Sequence, residues 1–286
     1  MRNLLSTKDQ RQLRLMETLI QNRNWIRLHA LAEKLGCTER ILKNDLNELR
    51  TAFPNIDIQS SVNGIMIDLE VNTSVEDVYQ YFLAHSQSFQ LLEYMFFNEG
   101  LPIYRTIENL HSSTANLYRL GRNITKTLSS QFQIELSFTP TAILGNETDI
   151  RYFFAQYFSE RYYFLDWPFP DLPEKNLTEF ADFFYKITNY PMRFSIYRMY
   201  KLMIAISIYR VKNGHFIDLP NHFNDEYYPL LMNIPNFEEV LGHFSQVFEL
   251  EMTPDIIAQI FISFIQSNIF LDPQEFFNSL EENSEA

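Results

Sequence analysis

Cysteine is almost missing: Cys37 stands alone in a chain of 286 residues. That excludes an internal disulfide framework and any Cys-rich zinc site, and a lone thiol fits a reducing compartment. Glycine is scarce as well, at 7 residues, and no Gly-rich phosphate loop can be found. No stretch approaches the roughly 18 uninterrupted apolar residues of a membrane span; the richest run, 202–209, is far shorter. The first eight residues turn polar at once, without the apolar core of a signal peptide. A soluble, cytoplasmic protein with no membrane partner is therefore expected. Basic residues stop at Lys212: residues 213–286 hold 13 acidic groups and no Lys or Arg. The whole net charge of −13 thus belongs to that stretch, while residues 1–212 balance at 23 basic and 23 acidic groups. Taken by region, the charge leaves a polyanionic partner open to the N-terminal part.

What is present is apolar material in helical spacing. With 46% hydrophobic and 15% aromatic residues, the length suits two domains of roughly 150 residues, or three smaller modules. Leu13, Met16, Leu19 and Ile20 form one stripe. A second helix, Trp25 to Leu35, puts Leu28, Leu31, Ala32 and Leu35 on one face and ends at Gly36. Thr38 is placed to cap a third, Glu39 to about Ala52, whose inward stripe is Leu42, Leu46 and Leu49. Two β-prone runs, Ile56–Ile58 and Ile65–Leu69, flank an Asn63-Gly64 hairpin signal. Three helices and a hairpin within residues 1–70 make a winged helix-turn-helix, with Ala32 and Gly36 supplying the small residue and the tight turn it needs. The face opposite the leucines carries Arg40, Asn44 and Asn47, with Thr38 at the start and Lys43 and Arg50 on the flank. Arg and Asn suit bidentate contacts with guanine and adenine edges, and Lys suits phosphates. Any solvated helix face is polar too, so it is the combination with the turn and hairpin that points to DNA.

The same order recurs over residues 71–165. Amphipathic helices around 75–83 and 89–96 lead to a short helix from Ile103 and a longer one from Ser112 or Ser113 to about Ser129. The last buries Leu117, Leu120, Ile124 and Leu128 and exposes Arg119, Arg122 and Lys126, with Asn116 and Asn123 beside them. Residues 101–130 hold four basic groups and one acidic one, the most one-sidedly basic segment of the chain. Alternation at Phe132, Ile134, Leu136 and Phe138, a turn at Thr139-Pro140-Thr141 and a return strand supply a second wing. Asn146 is placed to cap the next helix, with Glu147 and Asp149 complementing its dipole. Pro168, Pro170 and Pro173 then mark a boundary, beyond which 174–286 reads as a helical bundle with candidate helices 177–189, 192–212, 238–248 and 254–270. The fold class expected is mainly α: two winged helix-turn-helix domains with small hairpin wings, then an all-helical regulatory bundle.

Leu28 through Leu46 resembles the first DNA-binding domain of the Mga/RofA-like transcriptional regulators of Gram-positive bacteria, and the second unit resembles their Mga-type helix-turn-helix domain. Leu144-Gly145-Asn146-Glu147 with Ile150–Phe154 is similar to the junction that leaves its wing, and the bundle is similar to their first phosphotransferase regulation domain. The resemblance implies a double-stranded DNA partner, a homodimer, a role in virulence or sugar response, and phosphorylation of regulatory histidines by a sugar phosphotransferase phosphocarrier. His215 is the position most like the first such histidine, with Arg210 and Lys212 as the nearest compensating cations. The chain departs from the pattern in having no histidine after His243. An enzyme reading finds no support: the six histidines are dispersed, and neither a nucleophile elbow nor an H-E-x-x-H motif occurs. His215, Asp218, His222 and Asp225 could be offered to a metal, but Pro220 denies them a shared helical face. No cofactor and no metal are expected. The competing class is a protein-interaction or ligand-sensing module whose helix-turn-helix units do not read DNA.

Overall fold

The computed structural model describes residues 1–22, 24–69, 74–162, 166–188, 194–219, 228–229 and 231–266. Packing divides the chain into two compact units, residues 1–127 with 136–142, and residues 128–135 with 143–286. It is mainly helical, with two small hairpins.

In the first unit a single 3₁₀ turn precedes α1 (Thr7–Asn22), α2 (Leu28–Lys34) and α3 (Glu39–Ala52), followed by β1 (Ile56–Ser61) and β2 (Gly64–Leu69). Leu13, Met16 and Leu19 of α1, Leu31 and Ala32 of α2, and Leu42, Leu46 and Leu49 of α3 are buried together with Ile56, Ile58, Ile65 and Ile67. The stripes read from the 3.6-residue period are the core, except that Leu28 and Leu35 of the second stripe are only half-buried because α2 is short. β1 and β2 pair antiparallel from Ile56–Leu69 to Ser61–Gly64, leaving Val62 and Asn63 as a two-residue turn.

The start of the second helix differs from expectation. The helix expected from Trp25 begins only at Leu28, because Ile26 is used as a strand. Its N–H and carbonyl exchange hydrogen bonds with Ile65, each at 2.9 Å, adding a third partner to the wing. Gly64 makes this approach possible: a Cβ there would overlap the Ile26 carbonyl oxygen, and φ is +126°, outside the usual range of L side chains. Gly64→Ala is therefore expected to cost on the order of 1–3 kcal/mol in backbone strain and to undo the Ile26 pairing. Urea unfolding together with amide exchange at Ile26 checks this; unchanged protection would contradict it.

The second helical set grows on the first. A capping box, in which Ser74 and Asp77 satisfy each other's backbone N–H groups, starts α4 (Val75–His85). This helix packs against α1, and Phe53 at the end of α3 meets Tyr81 with ring centroids 4.5 Å apart. After it come α5 (Gln87–Phe97), α6 (Ile103–Asn109) and α7 (Thr114–Leu128), then the hairpin of β3 (Glu135–Phe138) and β4 (Thr141–Leu144). Gly121 lies where a Cβ would strike the Phe138 ring, so β3 can approach α7 closely only at a glycine. Thr125 Oγ1 accepts the Leu136 N–H at 3.0 Å and holds the strand there.

The second unit contains α8 (Glu147–Arg161), α9 (Glu174–Thr188), α10 (Phe194–Lys212), α11 (Phe237–Phe248) and α12 (Pro254–Gln266). Asn146 caps α8 by accepting the Thr148 N–H at 2.9 Å. Phe153, Phe154, Tyr157 and Phe158 bury the middle of α8, and α10 packs against α8, α9 and α12. The aromatic stripe is core. No described helix is long and apolar enough to cross a membrane.

Candidate nucleic-acid interface

Helix α3 is presented from behind by a polar clamp. Asp45 sits on the leucine side of the helix with 2% of its surface exposed. It accepts Arg11 Nε at 2.6 Å, a second guanidinium nitrogen at 3.1 Å, and Gln12 Nε2 at 3.0 Å. Gln12 also donates to Glu48 at 2.7 Å, and Lys8 pairs with Glu48 at 2.6 Å. The hydrogen bond to Asp45 pushes the Arg11 pKa up, against the cost of burial. Hydrogen bonds from Lys8 first, and from Gln12 next, hold the Glu48 carboxyl below its usual range. Bidentate charge-assisted bonds fix orientation as well as distance, so α1 sets the angle at which α3 faces outward. The signal for this clamp was available: an acid inside a leucine stripe needs a partner.

On the outer side, Thr38 caps α3 through its hydroxyl, which accepts the Ile41 N–H at 3.3 Å. Arg40, Lys43, Asn44 and Asn47 are all exposed. Arg40 and Lys43 form no ion pair with any described residue, although exposed Glu39 shares the first turn of the helix with them. Arg50 behaves differently. It is half-buried and donates to the Ile58 carbonyl at 2.9 Å, Ser60 Oγ at 2.5 Å and Asn47 Oδ1 at 3.2 Å. Its guanidinium joins α3 to β1, which makes it a positioning residue for the wing.

Helix α7 begins where Ser113 accepts the Asn116 N–H at 3.2 Å. Asn116 is half-buried, and its amide donates to Ser112 at 2.9 Å and Gln87 at 3.3 Å. Its Oδ1 accepts Arg119 at 2.7 Å. Asn116 therefore aims Arg119 across the first turn, and most of its own hydrogen-bonding capacity is used. Arg119, Arg122, Asn123 and Lys126 are exposed, and α7 contains no acidic residue. The structure thus offers two exposed cationic helix faces, each second in its helix-turn-helix and each followed by a hairpin.

His215 lies three residues past the end of α10 and is half-buried. The cations expected beside it are otherwise engaged. Arg210, 1% exposed, makes a two-pronged bond to Glu147 at 2.6 and 2.9 Å, and Lys212 donates to the Phe248 carbonyl at 3.0 Å. Arg151, fully buried, donates to Glu147 at 2.9 Å, to the Gln259 carbonyl at 2.6 Å and to the His215 carbonyl at 3.1 Å. Gln259 in turn bonds both the N–H and the carbonyl of Ile217 at 2.7 Å. The main chain around His215 is tied into a buried ionic network that the sequence did not reveal, because its members lie 63 and 108 residues apart. His222 and Asp225 lie outside the described residues. Among the described residues no group of three His, Cys, Asp or Glu side chains is arranged to hold a metal.

Comparison with known families decides the affiliation. The HTH domain of the M protein trans-acting positive regulator (Mga) matches residues 6–65, the Mga helix-turn-helix domain 71–158, and the Mga PRD domain 173–286, in that N-to-C order. The chain belongs to the Mga family. Within that family it is similar to a Streptococcus pneumoniae protein named "Putative trans-acting regulator", with 41% identity over 99% of this chain and 58% of the relative. It is also similar to two Bacillus anthracis proteins. A capsule synthesis positive regulator is 21% identical over 72% of this chain and 43% of its own length. An anthrax toxin expression trans-acting positive regulator is 25% identical over 78% and 48%. The chain therefore spans about half the length of the curated relatives it matches.

Proposed function

We propose that this Mga-family protein is a transcriptional activator that binds double-stranded DNA through residues 1–70 and 71–165 and is regulated through residues 174–286. The observation that carries the reading is the pair of exposed helix faces that bear cations and amides, Arg40, Lys43, Asn44 and Asn47 on α3 and Arg119, Arg122, Asn123 and Lys126 on α7. In helix-turn-helix proteins the second helix enters the major groove and its N-terminal residues meet base edges. On that basis Arg40, Asn44 and Asn47 read bases, and Lys43, Arg119, Arg122, Asn123 and Lys126 serve phosphates or bases. Thr38, Arg50 and Asn116 hold the readers in place. Two readers in one chain, doubled in a homodimer, span a long site in which DNA shape contributes to selectivity. Selection of duplexes from a random pool by the full chain tests this: an enriched motif supports it, and a pool that stays random overturns it.

The same reading assigns a regulatory phosphate to His215, supported by the PRD domain match. With Arg210 and Lys212 already engaged, the phosphate acts by adding charge beside the Glu147–Arg151–Arg210 network rather than by pairing with them. A phosphate brings about two negative charges. Incubation with a sugar phosphotransferase phosphocarrier should add one acid-labile phosphate by mass, lost in His215→Ala. No added mass would remove the assignment.

A further inference from the structure

Most of the first turns of α3 is polar and exposed: Thr38, Glu39, Arg40, Lys43 and Asn44. Ile41 stands among them with 39% of its surface exposed, the one large apolar side chain of α3 that is exposed rather than buried. Its helical neighbours one turn away are Cys37, Thr38, Asn44 and Asp45, so no apolar stripe continues from it. An isolated isoleucine is too small a patch for a protein partner, whose anchoring side chains cluster in packed, water-excluding centres. It is the right size for one methyl group.

We propose that Ile41 is a specificity-determining residue that reads the 5-methyl group of thymine, an inference that rests on the DNA-binding reading above. In the major groove thymine alone among the four bases presents a methyl, and apolar side chains recognise it by contact. Ile41 is the third residue of α3, flanked by Arg40 and by Asn44 one turn on, within the N-terminal part of a recognition helix that meets base edges. Its branched side chain is held in one strongly preferred χ1 rotamer by the helix, so little freedom is lost when it meets a base. Asn44 on adenine and Ile41 on thymine together would favour A·T pairs under the first reader.

The test uses the full chain and a duplex that the wild type has enriched from a random pool, with each thymine replaced in turn by deoxyuridine. At one position, loss of the methyl should weaken wild-type binding about fourfold, the equivalent of about 0.8 kcal/mol for one buried methyl-sized group. Ile41→Ala should bind the thymine and uracil forms equally, while Ile41→Val keeps the preference. Alanine is the better helix former, and the buried Leu42, Leu46 and Leu49 stripe is untouched, so the variant keeps its fold. A wild type indifferent to uracil at every position, or an Ile41→Ala that still prefers thymine, overturns this inference alone. A pool that yields no enriched duplex overturns the DNA-binding reading and this inference with it.

Discussion

Replacing Glu147 with alanine should destabilise the second unit by about 3–5 kcal/mol, the cost of leaving buried charge without its partner. Glu147 pairs with two guanidiniums that are essentially sealed from solvent, Arg151 and Arg210. Burial pulls the Arg151 pKa below its usual value, and the charge and hydrogen bond of Glu147 oppose that pull. Without the carboxylate, backbone and amide oxygens from His215 and Gln259 remain for Arg151, but the negative charge is gone. Arg210→Met should cost less, because Glu147 then still pairs with Arg151 and the methionine fills part of the space. The chain's two tryptophans help to read this out, since Trp25 lies in the first unit and Trp167 in the second. In a Trp25→Phe background, urea unfolding followed by Trp167 fluorescence reports the second unit. A shift below about 1 kcal/mol for Glu147→Ala, the range of a surface pair, would contradict the role given to the network.

The second large effect concerns the two helix faces, which should fail in different ways. Arg40→Ala and Asn44→Ala should each cost about 1–3 kcal/mol on the selected duplex and little on unrelated DNA, because base-edge contacts carry sequence information. Arg119→Ala combined with Arg122→Ala should weaken binding to both duplexes alike. It should also lower the slope of log affinity against log salt by about 2, one for each phosphate that no longer meets a cation. The asymmetry follows from local chemistry. Both faces mix cations with amides, but α3 also carries Glu39, whereas α7 has no acidic residue and holds Arg119 through Asn116. Both substitutions lie on exposed positions, so folding should be unaffected. Equal behaviour of the two sets on both duplexes would sink the division of labour.

The helices were legible in the sequence wherever burial repeats at a helical period. Leu42, Leu46 and Leu49 announce α3, and Leu117, Leu120 and Ile124 announce α7, because a one-sided core writes itself into spacing. Caps at Thr38 and Asn146 were readable for the same local reason, and that of α7 was narrowed to Ser112 or Ser113. Pairings set by tertiary structure were not. Ile26 joins the wing through a single backbone bridge to Ile65, which no run of β-prone residues foreshadows. Arg50 looked like a free cation on a DNA-facing flank, yet the β1 carbonyl it bonds exists only once the wing has folded back. Glu147 looked like a helix-dipole partner at the start of α8, and its larger role depends on Arg210, 63 residues later. The exposed faces themselves were placed correctly by periodicity; which of their side chains remain available was decided by neighbours from other elements.

The most direct test of the central claim is the ratio of affinities of the full chain for a selected and an unrelated duplex, titrated by fluorescence anisotropy at two matched salt concentrations. Two exposed readers predict binding to both that weakens as salt rises, with the selected duplex held at least about 1,000-fold more tightly, as in specific DNA recognition generally. Equal affinities for the two duplexes, or no binding even at low salt, would contradict it.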